Sequence, residues 1–219
     1  MYRYALIVAG GKGLRMGSDI PKQFMLLNGL PVLMHTLRAF EKHCDELILV
    51  LPKEQMDYWG KLCTDFDFKI KHKMVFGGNT RFASVSNGLK SIKQDSLVAI
   101  HDGVRPLMSD DLIEQSYITA ENDGSAVAAV KLKDTIRSFT TTLDREQFRL
   151  VQTPQTFVSS KIIDAYEFAS ILDSEGKSFT DDASVYEKSG YQITLIEGEY
   201  KNIKITTPED LLIAEALLK

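Results

Sequence analysis

The first apolar run of the chain ends in Ala9-Gly10-Gly11-Lys12-Gly13-Leu14-Arg15-Met16-Gly17, followed by Pro21-Lys22-Gln23. Glycines after a buried strand let the backbone approach an anion and aim N–H groups at its oxygens. Phosphate is an anion that suits such a loop, and Arg15 and Lys22 add two fixed positive charges beside it. Taken alone, the same glycines also fit a plain tight turn, and the two cations fit solvated surface positions. Two familiar phosphate loops match poorly. The Walker pattern needs Gly-Lys-Ser/Thr after its spacer, whereas Gly11-Lys12 runs into Gly13. The dinucleotide fingerprint needs Gly-x-Gly-x-x-Gly, and Gly17 comes one residue late. That fold also wants an acid at the end of the second strand, which here reads Leu51-Pro52-Lys53. An NAD(P)-binding oxidoreductase is therefore the different-class alternative that these residues disfavour.

A second candidate is Asp102. It follows the apolar run Leu97–His101 directly, so a strand there would put its carboxylate at the carboxyl edge. A carboxylate in that place can hold Mg²⁺ or a substrate hydroxyl, or it can cap a turn. His101 reads as structural. No Ser-His-Asp or Cys-His arrangement stands out.

The elements that must position these residues alternate along the chain. Tyr4–Ala9, Glu46–Leu51, Lys71–Phe76, Leu97–His101, Ser125–Val130 and Ile193–Ile196 read as strands. Pro31–His43, Gln55–Cys63, Arg81–Ile92, Ser109–Glu121 and Ser159–Leu172 read as helices, with a short one after Thr180-Asp181-Asp182. A last helix starts at Pro208, with Thr207 as cap and Asp210 three residues on. Continuous apolar strands separated by helices predict an α/β, doubly wound, mostly parallel sheet covered on both faces. Ligands in such folds bind beyond the carboxyl ends of the strands. The stretch from Lys131 to about Phe148 breaks the rhythm and reads as a projecting β-arm. Such an arm is marginal alone, so a dimer partner would explain it.

The 219 residues suffice for a single α/β domain spanning 1–219, with the arm included. A net charge of −4 argues against a long nucleic acid as partner. Cys44 and Cys63 form neither a CxxC nor a metal pattern, which suggests a reduced, cytoplasmic protein. No apolar run nears the length of a membrane span, and the first residues do not read as a signal peptide.

The glycine block with Pro21-Lys22-Gln23 resembles the opening of sugar-nucleotide pyrophosphorylases. Four further blocks resemble the 2-C-methyl-D-erythritol 4-phosphate cytidylyltransferase family. They are Gly77-Gly78-Asn79-Thr80-Arg81-Phe82-Ala83-Ser84-Val85, His101-Asp102-Gly103-Val104-Arg105-Pro106, Thr153-Pro154-Gln155-Thr156-Phe157, and Asn202-Ile203-Lys204-Ile205-Thr206 with Pro208-Glu209-Asp210. The likeness spans essentially the whole chain. It implies transfer of CMP from CTP to a polyol phosphate with Mg²⁺, as a step in isoprenoid synthesis. It also implies a homodimer whose arms reach into each other's sites. The nearest rival is ribitol 5-phosphate cytidylyltransferase. Asp144-Arg145 and Thr180-Asp181-Asp182-Ala183-Ser184-Val185 look more like the methylerythritol pattern. A nucleotide-binding module without activity is a further alternative, and intact Arg15, Lys22 and Lys204 speak against it.

Roles follow by matching positions. Arg15, Lys22 and Lys204 would be catalytic, holding the triphosphate and the charge that develops on it. Ala9, Gly10, Gly11, Gly13, Gly77, Gly78, Asn79 and Ser84 would hold the nucleotide. Arg81 would either hold the triphosphate or cap its helix. Asp102 and Arg105 would bind the acceptor, joined by Thr135 and Arg145 from the other subunit. Two positions depart from the common family pattern: Asn79 stands where Asp is frequent, and Gly10 where Ala is frequent. If the base meets only main-chain atoms, both changes are mild.

Overall fold

A computed structural model describes residues 1–11 and 20–218. The expected phosphate-loop residues Gly13 and Arg15 lie outside the described residues.

Alternation along the strands decides the architecture. In β1 (Tyr2–Val8), Ala5 and Ile7 enter one buried cluster, while Tyr4, Leu6 and Val8 enter another. In β4 (Glu46–Leu51), Leu47, Leu49 and Leu51 side with the first, Ile48 and Val50 with the second. In β6 (Ser96–Asp102), Leu97 and Ala99 oppose Val98 and Ile100 in the same way. Period-2 side chains that are apolar on both faces require a sheet covered twice.

Helices α1 (Val32–Glu41), α2 (Met56–Asp65) and α4 (Asp110–Asp123) cover the first face through Leu37, Trp59 and Tyr117. Helices α3 (Arg81–Leu89), α5 (Ser159–Leu172) and α6 (Asp182–Lys188) cover the second through Val85, Tyr166 and Tyr186. Gly88 shows how close α3 packs: a Cβ there would lie 2.4 Å from Leu6 Cδ1.

With β5 (Lys73–Phe76), β7 (Ser125–Lys131), β8 (Arg149–Val158) and β9 (Leu195–Glu197), the sheet has the order β5-β4-β1-β6-β8-β7-β9. Its pairs are parallel except those of β8, which runs antiparallel to both β6 and β7. The doubly wound, mostly parallel expectation holds. Strand β8 is an addition. Pro154 and the polar Gln152, Thr153, Gln155 and Thr156 mask it as a strand, although all of them are buried. A two-stranded ribbon, β2 (Leu26–Leu27) with β3 (Leu30–Pro31), was also not legible. Helix α7 (Pro208–Leu217) carries the expected capping box from Thr207 and Asp210.

The chain builds outward from β1 to β4 and β5, then returns to place β6 on the other side of β1. The carboxyl ends of β1 and β6 therefore flank the point where the winding direction reverses. Val8 pairs with Asp102 at that point.

Residues 132–148 leave the sheet between β7 and β8. One bridge joins Arg137 and Thr142, and Leu143 N–H donates to Ile136 O at 2.9 Å. Phe139 and Phe148 are exposed on this excursion, and Leu150 and Val151 are exposed at the start of β8. Among the described residues, no helix is long and apolar enough to cross a membrane.

Candidate active site

Three segments meet beyond the ends of β1, β5 and β6. Ala9 follows β1 and is held by its N–H to Val50 O at 3.0 Å. The Gln23 amide, fully buried, donates to Ala9 O at 3.0 Å and to Gln55 Oε1 at 2.7 Å. This anchors the backbone just after Lys22. The Lys22 stem lies beside Gly11, where a Cβ would come within 3.4 Å of Lys22 Cε.

The second segment is the turn after β5. Gly77 N–H donates to Leu51 O at 2.7 Å, and Gly78 N–H donates to Ser84 Oγ at 3.0 Å. A Cβ on Gly78 would lie 2.5 Å from Ala83 Cβ, so glycine is needed there. Ser84 Oγ in turn donates to Thr80 O at 2.9 Å. The serine hydroxyl thus shapes the turn from within. Thr80, not Arg81, caps α3, accepting from Ala83 N–H at 3.1 Å. The capping alternative for Arg81 is thereby corrected: an N-cap acts through a short side-chain oxygen, and a guanidinium has none.

The third segment is Asp102 with the loop 198–207. The Gln152 side chain donates to Glu199 O at 2.8 Å and accepts from Glu199 N–H at 3.2 Å, clamping this loop to β8. Asn202 Nδ2 donates to Thr153 O, and Arg105 Nη1 donates to Asn202 O, both at 2.8 Å. Lys204 follows, with its Nζ 2.9 Å from Asp102 Oδ2.

Asp102 sits among three cations. Arg81 Nε lies 3.4 Å from Oδ1, and Arg105 Nε lies 3.5 Å from Oδ2, on the oxygen that Lys204 also meets. Burial alone would raise its pKa, but Arg81, Lys204 and Arg105 outweigh that and hold the carboxyl well below its ordinary value. Burial lowers the Arg105 pKa, against the pull of Asp102.

Two cavities open onto this group. One, of about 240 Å³, is lined by Ala9, Gly10, Gly11, Lys22, Gln23, Gly78, Asn79, Thr80, Arg81, Ser84, Asp102 and Lys204. The other, of about 260 Å³, is lined by Arg81, Asp102, Arg105, Gln152, Thr153, Gln155, Thr180, Asp181 and Lys204. Arg81, Asp102 and Lys204 form their common wall. Thr135 and Arg145 line neither cavity. Both are exposed on the arm, where Arg145 Nη1 donates to Lys133 O at 2.6 Å.

No group of three or more His, Cys, Asp or Glu side chains gathers among the described residues. Both oxygens of Asp102 face cations. The carboxylate suits charge balance better than ligation of Mg²⁺, and the described residues offer no protein cage for a divalent ion.

His101 is fully buried, and its Nε2–H donates to Arg105 O at 3.0 Å. Burial drives its pKa from 6.5 down to about 3. It stays neutral and serves as structure. The unfolded chain therefore binds one more proton than the folded chain between those two values. Stability from this residue is complete above 6.5 and is lost as the pH falls toward 3. His101→Gln keeps a donor for Arg105 O. The expected result is a shallower fall of the melting temperature between pH 6.5 and 4 than in the parent, on the order of the proton-linkage slope of one group. An unchanged slope contradicts the assignment.

Sequence reasoning missed Asp182, Tyr166 and Gln152. In Thr180-Asp181-Asp182 it is Asp181 that caps α6, accepting from Ser184 N–H. Nothing in the spacing tells the second carboxylate from the first.

Residues 4–219 match the family described as IspD, 2-C-methyl-D-erythritol 4-phosphate cytidylyltransferase. The enzyme of that name from Porphyromonas gingivalis ATCC 33277 is 49% identical over 221 residues, 99% of this chain and 97% of the relative. The fold is similar to the crystal structure of 4-diphosphocytidyl-2C-methyl-D-erythritol synthase from Anaerococcus prevotii, with a TM-score of 0.83, 33% identity, and 99% and 98% of the two chains covered. A similar match is the Thermus thermophilus 2-C-methyl-D-erythritol 4-phosphate cytidylyltransferase, with a TM-score of 0.83, 32% identity, and 99% and 98% coverage.

Proposed function

The chain belongs to the 2-C-methyl-D-erythritol 4-phosphate cytidylyltransferase family, and we propose that it transfers CMP from CTP to 2-C-methyl-D-erythritol 4-phosphate, releasing pyrophosphate. The observation that carries this reading is the shared wall: two cavities meet at the charged side chains of Arg81, Asp102 and Lys204. CTP takes the cavity of the glycine turns, and the acceptor takes the cavity of Arg105.

The acceptor's own phosphate oxygen attacks the α-phosphorus. A phosphate monoester has its second pKa at about 6, so it is largely a dianion at neutral pH and needs no base from the protein. A new bond forms from that oxygen to the α-phosphorus, the α–β bridging bond breaks, and its electrons leave with pyrophosphate. The obstacle is repulsion between anions and growing charge on the α-phosphoryl oxygens. Lys22 and Lys204, with Arg15, supply the opposing charge. If a divalent cation such as Mg²⁺ accompanies the triphosphate, it would add to this neutralisation of charge.

Main-chain groups of Ala9, Gly10 and the Gly77–Asn79 turn select the base, and Ser84 keeps that turn in shape. The single-domain chain works as a cytoplasmic homodimer, its arm reaching a second copy. Exposed Phe139, Phe148 and Leu150 on and beside the arm support that reading, because a monomer gains nothing from displaying them. Thr135 and Arg145 then serve the partner's acceptor. Arg145→Ala is expected to raise the KM for methylerythritol phosphate about tenfold, the size of one charge-assisted hydrogen bond, and to leave CTP binding unchanged. Equal loss for both substrates places Arg145 elsewhere.

The reading as a whole is tested by pyrophosphate release from CTP with each polyol phosphate. Rapid turnover of methylerythritol phosphate is expected. Faster turnover of ribitol 5-phosphate would reassign the acceptor. CTP binding without any turnover would leave a nucleotide-binding module.

A further inference from the structure

Asp182 is a carboxylate with no exposure at all. Arg81 donates to it from both ends of its fork, Nη1 to Oδ1 at 2.8 Å and Nη2 to Oδ2 at 2.6 Å. The Tyr166 hydroxyl donates to Oδ1 at 2.6 Å. The Tyr166 ring also stacks on Phe82, the neighbour of Arg81 in α3, with centroids 4.7 Å apart. One more donor of Arg81 points onward: Nε lies 3.4 Å from Asp102 Oδ1. A continuous series, Tyr166–Asp182–Arg81–Asp102–Lys204, thus runs from beneath α5 to the wall between the two cavities.

The geometry has a consequence for Asp102. An arginine beside a lone carboxylate closes its planar fork on both oxygens. Asp182 occupies the fork of Arg81, so Asp102 receives only the side N–H. Its second oxygen stays with Lys204 and Arg105, at the mouth of the acceptor cavity. If Asp182 lost its charge, Arg81 would turn to the one carboxylate left and withdraw it from that cavity.

We infer that Asp182, held by Tyr166, is a positioning residue that keeps Asp102 available to the polyol phosphate. The inference rests on the reading above, in which Asp102 contacts the acceptor. It locates a determinant of acceptor recognition in a side chain that no substrate can touch.

The test is steady-state kinetics on the full-length protein with Asp182→Asn, Tyr166→Phe, Asp102→Asn and the double variant of both aspartates. Asp182→Asn is expected to raise the acceptor KM about tenfold while the CTP KM moves less than about twofold, as loss of one charge-assisted contact would. Tyr166→Phe keeps the ring stack, and is expected to shift the acceptor KM the same way by about threefold. The double variant is expected to be no worse for the acceptor than Asp102→Asn alone, because both changes act through one carboxylate. A purely structural role predicts additive losses and equal shifts of both KM values, and either result overturns the inference. Should Asp182→Asn fail to fold, Tyr166→Phe decides: an unchanged acceptor KM overturns it. If the unmodified protein does not turn over methylerythritol phosphate, the proposed function fails first, and the kinetics distinguish that case.

Discussion

Lys204→Ala is expected to lower kcat by about 10²–10³-fold, the typical cost of deleting one donor aimed at developing charge. The ligand-free geometry explains why the loss falls on the rate. Lys204 Nζ sits on Asp102 Oδ2 at 2.9 Å, and its side chain is 41% exposed, so it is anchored but still free to swing. Arg81 and Arg105 remain beside Asp102 when the lysine is removed, which leaves the buried carboxylate compensated. Asp102 therefore does not become an uncompensated buried charge, and the variant is expected to fold. What disappears is a cation at the wall between the two cavities, where the proposed mechanism brings the α-phosphate and the incoming phosphate together. Saturating CTP and acceptor isolate kcat; a value within about threefold of the parent would remove Lys204 from the reacting phosphates.

Lys22→Ala is expected to lower turnover at least about 100-fold for the same electrostatic reason. Its neighbours fix the backbone that carries it. Pro21 precedes a short helical turn, Lys22–Phe24, and the next residue, Gln23, is locked to Ala9 O and Gln55. The alanine variant keeps those bonds, so the backbone at Ala9 and Gln23 is expected to stay where it was. In the proposed mechanism the lysine stem, which lies beside Gly11 and lines the nucleotide cavity, faces the triphosphate. A near-normal rate would show that the triphosphate lies elsewhere.

Much of the frame was legible because its physics is local. The all-apolar runs Tyr4–Ala9 and Leu97–His101 announce strands buried on both faces, and Ser109 and Thr207 announce helix starts. The ends of β1 and β6 then follow from topology. Strand β8 was not legible, since Pro154 and its polar neighbours are buried by partners distant in sequence. The glycine turn after β5 was legible, but the work of Ser84 inside it was not. It faces backbone atoms of its own turn, a matter of rotamer rather than residue type.

The candidate site divides in the same way. Asp102 and Lys204 could be named from a resemblance, yet their ion pair joins residues a hundred positions apart. Asp182 lay inside a stretch that capping already explained, so nothing local asked for a second role. Arg81 was caught between two readings because a sequence does not show which carboxylate fills a guanidinium fork. The fold supplies Asp182 from α6 and Asp102 from β6 at once.

In the proposed mechanism, positive side chains converge on the α-phosphate of CTP at the rim of the sheet. The most direct measurement is a crystal structure with methylerythritol phosphate and a CTP analogue whose α–β bridge cannot be cleaved. Lys204 Nζ is expected to leave Asp102 and join Lys22 Nζ and the Arg15 guanidinium within about 4 Å of the α-phosphate oxygens, the reach of a direct ion pair. An α-phosphate bound away from all three, with Lys204 still on Asp102, would contradict the account.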